Sequence, residues 1–293
     1  MVCYELMIKF AGIKIFREMI DFPCAKINLG LNVTNKRPDG YHDLETVFYP
    51  VRLCDRLEIE EVSDSQSVDG CCSLSLDGLP IVGNANDNLV VKAYNLLKGI
   101  YPELPSVSIK LTKNIPSQAG MGGGSSDCAY VIRMLNEMFR LGMSVDEMRG
   151  LAARLGADCA FFINPVPSFA TGIGERLIPV NVDLAAYSMA IVKPQLMIST
   201  KEAFSYITPR RPEVCCRDIV AMPVDEWKDV LVNDFEQSIE TLHPEIHEIK
   251  QALYGMGAVY SAMSGSGSAV FGIFENRPEE LETVFRNCFT VVV

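Results

Sequence analysis

The sequence predicts a protein of the α+β class built from two domains, and three observations lead there. The chain has 293 residues, 48% of them hydrophobic, enough for one large or two moderate cores. Around Pro116–Asp127 the pattern runs strand, glycine-rich loop, helix. From about Val180 a second series of strand and helix patterns begins. The expected division is residues 1–20 as an N-terminal extension, 21–179 as a first domain and 180–293 as a second.

Residues 1–20 are apolar but broken by Glu5, Lys9, Lys14, Arg17 and Glu18, so no run approaches the roughly 18 residues that a membrane-spanning helix needs. They lack signal-peptide architecture. Met19 offers an alternative start, which would make the extension an artefact of gene calling, and the stretch is left out of the expected fold.

From Phe22 a strand pattern sets in. Ala25, Ile27, Leu29, Leu31 and Val33 point one way, and Lys26, Asn28, Gly30 and Asn32 the other. The polar face either lines a cleft or is simply solvated. Arg37-Pro38-Asp39-Gly40 is a turn signal, with Pro presetting φ and Gly supplying a positive φ. Tyr41 and His42 leave it side by side, suited to a base or to capping a hairpin. Leu44–Phe48 and Leu57–Val62 read as strands, Asp69–Gly83 as a variable connection, and Asn86-Asp87-Asn88 as the start of a helix through Leu97.

Next, Val107, Ile109 and Leu111 alternate with polar residues as in a half-buried strand, while Ala129, Ile132, Leu135 and Phe139 follow a helical period. Between them Gly120, Gly122, Gly123 and Gly124 lack a Cβ, so backbone can approach a ligand closely. A helix opening at Ser125 or Ser126 would aim free N–H groups and a positive dipole end at an anion, unless the Asp127 carboxylate occupies that end. Ser125 stands where a Walker loop needs Lys, and the dinucleotide spacing is absent. Glycine content alone leaves a phosphate cradle and a tight connection both open.

Ser144 and Glu147 make a capping box for a helix closing at Gly156. Asp158 follows among apolar neighbours, where a carboxylate must be paired. It either caps the next helical turn or meets a cation. Beyond it come a strand and turn over Ser168–Leu177, a buried strand at Met189–Lys193, a helix start at Thr200–Ile207, an apolar segment at Val232–Phe235, a helix near Ile246–Leu253, and a strand pair, Ala258–Met263 and Ala269–Phe274, around Ser264–Ser268.

The formal net charge of −11 argues against nucleic acid or an anionic membrane as partner. An anionic small ligand must be held locally, with Lys26, Lys113 and helix N-termini as candidates. The ten cysteines are scattered without C-x-x-C spacing and read as reduced residues of a cytoplasmic protein. His243 and His247 are four apart around Pro244 with no third ligand near, which favours exposed imidazoles at a helix entry over a metal site.

Three separated pieces, FPCAKINLGLNVTNKRPDGYHDLETVF, IPSQAGMGGGSSD with LGAD following, and MSGSGSAVFGIF, resemble the signature regions of the GHMP small-molecule kinases. The likeness covers about Phe22 to Phe274. AKINLGL and RPDGYH resemble, within that superfamily, the branch acting on a cytidine diphosphate-linked methylerythritol. It implies an N-terminal domain like domain 2 of ribosomal protein S5, a ferredoxin-like C-terminal domain, ATP and Mg²⁺ as cofactors, and a monomer or weak homodimer. Pro116, Ser117, Gln118, Ala119, Gly120, Met121, Gly122, Gly123, Gly124, Ser125 and Ser126 match the phosphate cradle, with Asn88 and Lys113 at nucleotide-contacting positions and Ser126 a candidate metal ligand. Lys26 and Asp158 match the catalytic pair: Asp158 would accept or orient the hydroxyl proton, and Lys26 would hold Asp158 ionised and favour the developing alkoxide. Tyr41, His42 and Phe204 match residues that hold cytosine, with Asn28 lining the same cleft.

Some positions depart from the family pattern: Ser117, Gln118 and Ala119 where glycines often occur, Met121 for Leu, and Cys159-Ala160 for Val-Pro. They bear on the loop's conformation and the setting of Asp158. Two rivals follow: a GHMP kinase for homoserine or mevalonate, which has no reason to keep RPDGYH, and a non-catalytic ligand sensor, which would be expected to have lost Lys26 or Asp158.

Overall fold

The computed structural model describes residues 5–11, 14–63, 72–81 and 87–293. In chain order the elements are β1 (Glu5–Ala11), β2 (Lys14–Asp21), β3 (Cys24–Lys36), β4 (His42–Cys54), β5 (Arg56–Glu61), β6 (Cys72–Gly78), α1 (Leu89–Ile100), β7 (Val107–Lys113), α2 (Gly123–Met138), α3 (Val145–Ala153) and α4 (Cys159–Phe162). They continue as β8 (Ser168–Gly172), β9 (Arg176–Pro179), β10 (Ser188–Lys193), α5 (Thr200–Ser205), α6 (Cys216–Ile219), α7 (Asp234–Leu242), α8 (Pro244–Gly255), β11 (Tyr260–Met263), β12 (Val270–Phe274), α9 (Leu281–Val284) and β13 (Phe289–Val292). Two compact units result. The first takes Met1–Ala25, Arg52–Ser117 and Gly122–Pro165, and the second Lys26–Val51, Gln118–Met121 and Val166–Val293.

In the first unit a five-stranded sheet runs in the order β1-β2-β5-β7-β6, antiparallel except for the parallel pair β6 and β7. Leu57 and Ile59 of β5 sit opposite Leu111 and Ile109 of β7, and all four are buried. Each such side chain contributes about 1.5–3 kcal/mol by leaving water. Helix α2 packs on β2 and β5 and against α1, burying Cys128, Ala129, Val131, Ile132 and Leu135. Residues 1–20, left out of the sequence-based fold, contain β1 and most of β2, and Glu18–Asp21 pair with β5.

The second unit carries two four-stranded sheets, β3-β4-β8-β9 and β11-β12-β10-β13. Leu31, Val33, Val192, Phe235, Leu253, Met263 and Val270 share one buried cluster. The backbone of β3 is tied to the start of α7: Leu31 N–H donates to Val232 O at 2.9 Å, and Val33 N–H to Asp234 Oδ2 at 2.7 Å.

Several boundaries differ from the sequence reading. Strand β4 continues past Phe48 to Cys54, with Val51 and Leu53 still buried. Pro50 is tolerated because pairing with β8 ends at Phe48 and Ser168, leaving no ladder on that side to interrupt. Helix α2 opens at Gly123, ahead of the expected Ser125 or Ser126, because Gly122 takes φ 69° and makes the turn itself. The apolar segment Val232–Phe235 leads into α7, which Asn233 caps by accepting from Phe235 N–H. The variable connection survives as β6, while 69–71, 82–83 and Asn86 lie outside the described residues.

Candidate active site

Strand β3 presents Lys26 and Asn28 from its polar face, yet both are buried. A buried ammonium needs partners. Lys26 Nζ donates to Asn28 Oδ1 at 2.6 Å and to Gly120 O at 2.8 Å, and lies 5.1 Å from the centre of the Phe48 ring. The solvated-face reading of this strand is therefore corrected. The loop segment holding Gly120 is gripped by the connection between β11 and β12. Ser264 Oγ donates to the same Gly120 carbonyl at 2.9 Å, and Ala269 N–H donates to Ala119 O at 3.2 Å. Gly120 has φ 71°, and a Cβ there would lie 1.9 Å from Ser264 O, so glycine is required. Met121 is buried, and its carbonyl accepts Lys26 N–H at 3.0 Å. Gln118, with φ 50°, is exposed.

In the first unit, Pro116 and Ser117 are half-buried, and α2 starts with Gly123, Gly124, Ser125 and Ser126. No side chain caps it, so Asp127 does not occupy the helix end as the sequence allowed. Asp127 instead turns inward to Lys113, whose ammonium is held by Asp127 Oδ2 at 2.6 Å and by Asp55. Asp55 Oδ1 also accepts the Asn114 and Ile115 N–H groups at 2.6 and 2.8 Å. Burial pushes the Asp127 carboxyl up to about 8, against the pull of Lys113 and with Asp55 adding to the rise. Burial disfavours the Lys113 ammonium, but the two carboxylates outweigh it and its pKa rises. One ammonium faces two buried carboxyl groups, which is why the pull of Lys113 does not offset the burial of Asp127.

Ser125 hydrogen-bonds the Cys159 sulfur, which also receives the Cys128 thiol. Ser126 Oγ is fully buried with no hydrogen-bond partner. Asp158 stands at the N-cap position of α4 in αR conformation and makes no side-chain cap hydrogen bond, against the capping role its neighbours suggested. It is half-buried.

At the end of the RPDGYH turn, His42 stacks on Phe204 of α5, with ring centroids 4.7 Å apart and planes 16° from parallel. Phe204 in turn meets the edge of Phe235 at 4.9 Å. Tyr41 is 60% exposed beside this pair. A stacked imidazole keeps its ring nitrogens for hydrogen bonds in the ring plane. Asn88 caps α1, accepting from Val90 N–H at 3.0 Å.

Sequence reasoning missed three buried polar residues that support these groups: Thr46, Asp55 and Ser264. Ser264 had a signal, since it opens the small-residue turn between β11 and β12. Asp55 had a weaker one, an isolated acid between two strands. His247 pairs with Glu240 at 2.9 Å and His243 faces Glu202 at 3.9 Å. Among the described residues no three His, Cys, Asp or Glu side chains cluster as a metal site.

The family model of the GHMP kinases N-terminal domain matches residues 88–164, and that of the GHMP kinases C-terminal domain residues 223–290. The chain is 53% identical over 257 residues to a 4-diphosphocytidyl-2-C-methyl-D-erythritol kinase of Bacteroides thetaiotaomicron, covering 88% of this chain and 92% of that one. It is 47% identical to the enzyme of the same name from Parabacteroides distasonis, covering 92% and 97%. A crystal structure of 4-(cytidine 5'-diphospho)-2C-methyl-D-erythritol kinase superposes with a TM-score of 0.76 at 32% identity, covering 94% and 98% of the two chains. A homoserine kinase from Cytophaga hutchinsonii, at TM-score 0.67 and 15% identity over 97% and 96%, shares the fold.

Proposed function

The chain belongs to the 4-diphosphocytidyl-2-C-methyl-D-erythritol kinases of the GHMP kinase superfamily, and on that premise we propose how its own residues work. The reaction is transfer of the γ-phosphoryl group of ATP to the 2-hydroxyl of 4-diphosphocytidyl-2-C-methyl-D-erythritol, in non-mevalonate isoprenoid precursor synthesis. One observation carries the assignment of roles. Strand β3 bears the Lys26 ammonium, held by Asn28 and Gly120, and runs into the turn that delivers His42 onto Phe204. A cation suited to a reacting phosphoryl group and a ring pair suited to a base are thus built on one rigid strand and its turn.

Phosphoryl transfer asks for positioning and neutralisation of charge more than for covalent chemistry by the protein. The loop Pro116–Ser126 and the uncapped first turn of α2 present backbone N–H groups to the ATP phosphates. Lys26 offsets charge developing on the acceptor and transferring oxygens. Asp158, which does not spend its carboxylate on capping, accepts or orients the proton of the acceptor hydroxyl. Tyr41 and Phe204 stack on cytosine, His42 hydrogen-bonds it through a ring nitrogen, and Asn28 lines the cleft. Asn88 and Lys113 serve the nucleotide by shaping the start of α1 and the exit of β7.

Mg²⁺ would supply charge neutralisation to the ATP phosphates. The unpartnered Ser126 hydroxyl fits that group as an oxygen ligand, and most of the remaining ligands would be phosphate and water. We place ATP with residues 21–179 and the closing domain in 180–293, in a cytoplasmic monomer or weak homodimer. Among the described residues no helix is long and apolar enough to cross a membrane.

A panel of acceptors with Mg-ATP tests the reading: 4-diphosphocytidyl-2-C-methyl-D-erythritol, homoserine and mevalonate. Turnover of the first alone is expected. Preference for either of the others would refute the substrate assignment.

A further inference from the structure

Thr46 of β4 is completely buried, and its hydroxyl is committed on both sides. It donates its only proton to Gly30 O at 2.5 Å, since a carbonyl can only accept. Its oxygen is left to accept, and Asn28 Nδ2 donates to it at 2.9 Å. A carboxamide whose nitrogen is fixed has its oxygen fixed on the other side. That oxygen receives Lys26 Nζ at 2.6 Å. The direction of all three bonds is therefore set by one backbone carbonyl. The reversed amide would point its own N–H groups at an ammonium that has only donors.

The anchor is itself rigid. Gly30 has φ 67°, and a Cβ there would meet Leu231 Cδ1 at 2.7 Å and Cys216 Cβ at 2.9 Å. Thr46 is β-branched, which restricts its χ1. The Thr46 hydroxyl therefore has a fixed donor role toward Gly30 O and a fixed acceptor role toward Asn28.

We propose that Thr46 is a positioning residue for phosphoryl transfer: it locks the Asn28 carboxamide so that its oxygen faces Lys26 and holds the ammonium at the Gly120 carbonyl. This rests on reading Lys26 as the reaction's cation. Thr46 touches neither nucleotide nor acceptor, and acts through Asn28.

The test is steady-state kinetics on Thr46→Val, Thr46→Ser, Asn28→Ala, the Thr46→Val/Asn28→Ala double variant and Lys26→Met. Thr46→Val keeps the shape and removes the relay, so kcat should fall about 10- to 100-fold with both KM values within about twofold. Thr46→Ser restores the hydroxyl and should restore kcat to within about threefold. In the Asn28→Ala background Thr46→Val should cause no further loss, because its effect passes through that amide. Wild-type kcat in Thr46→Val, or an undiminished effect on the Asn28→Ala background, would overturn the proposal. Should Thr46→Val fail to fold, Thr46→Cys, similar in size but a weak donor, carries the same comparison. Retained turnover in Lys26→Met would remove the premise about Lys26, whereas an inactive Lys26→Met beside a normal Thr46→Val would remove only the inference about Thr46.

Discussion

Lys26 and Asn28 leave the same face of β3, and the ammonium of the first donates to the carboxamide of the second at 2.6 Å. With Gly120 O at 2.8 Å, the buried Lys26 side chain is fixed in place by two oxygens, one on a side chain and one on the backbone.

Replacing Lys26 by Met keeps the stem and removes the charge. Turnover should fall about 10²- to 10⁴-fold, with KM for ATP changed no more than a few-fold, because the interaction is worth most in the transition state. A rise in KM without loss of kcat would make Lys26 a ground-state binding group instead.

Two glycines of the loop should separate folding from ligand approach. Gly120→Ala forces a Cβ against Ser264 O at a left-handed residue and should lower stability by about 1–3 kcal/mol, together with activity. Gly124 lies in the first turn of α2, where an added Cβ would meet nothing within 4 Å. Gly124→Ala should leave thermal stability unchanged or raised by up to about 1 kcal/mol, while raising KM for ATP if backbone there meets phosphate. Melting curves and ATP titrations read the two effects apart.

The triad of Lys113, Asp55 and Asp127 predicts a stability effect away from chemistry. Lys113→Met leaves two carboxyl groups buried without their cation, and urea denaturation should show a loss of about 3–5 kcal/mol. Unchanged stability with weaker ATP binding would instead mean that Lys113 serves the nucleotide directly.

For the ring pair, Phe204→Ala should raise KM for the cytidylyl acceptor by about 5- to 30-fold, the loss of roughly 1–2 kcal/mol of stacking, with kcat at saturation nearly unchanged. Burial, then the nearby Lys36 charge, holds His42 below its ordinary value of 6.5. Since its folded pKa lies below the unfolded one, the native state binds fewer protons there. The stability tied to neutral His42 is complete above the ordinary imidazole value and is lost as pH falls below it through the folded pKa. KM for the acceptor should therefore stay flat from about pH 8 to about 6.5 and climb only in more acidic solution. A climb already under way at neutral pH in wild type, absent in His42→Gln, would contradict the assigned neutral ring.

Local signals were legible in the sequence because their physics is local. Asn88 caps α1 and Ser144 with Glu147 forms its box, within the reach of three or four residues. The alternating face of β3 and the glycine loop before α2 were readable for the same reason. What could not be read was which distant residue satisfies a buried polar group. Gly120 meets Ser264, Lys113 meets Asp55, and Asn28 meets Thr46 through pairings that only the folded sheets create. Asp158 shows the opposite error: its neighbours invited a cap, but its αR backbone at the start of α4 forms none.

The central claim is that this chain phosphorylates one hydroxyl of a cytidylyl-linked polyol. Phosphorus NMR of the product formed from 4-diphosphocytidyl-2-C-methyl-D-erythritol and Mg-ATP tests it most directly. A new phosphomonoester on the 2-hydroxyl, with the diphosphate intact and one ADP released per product, is the predicted result. No phosphomonoester, or one on another hydroxyl, would contradict it.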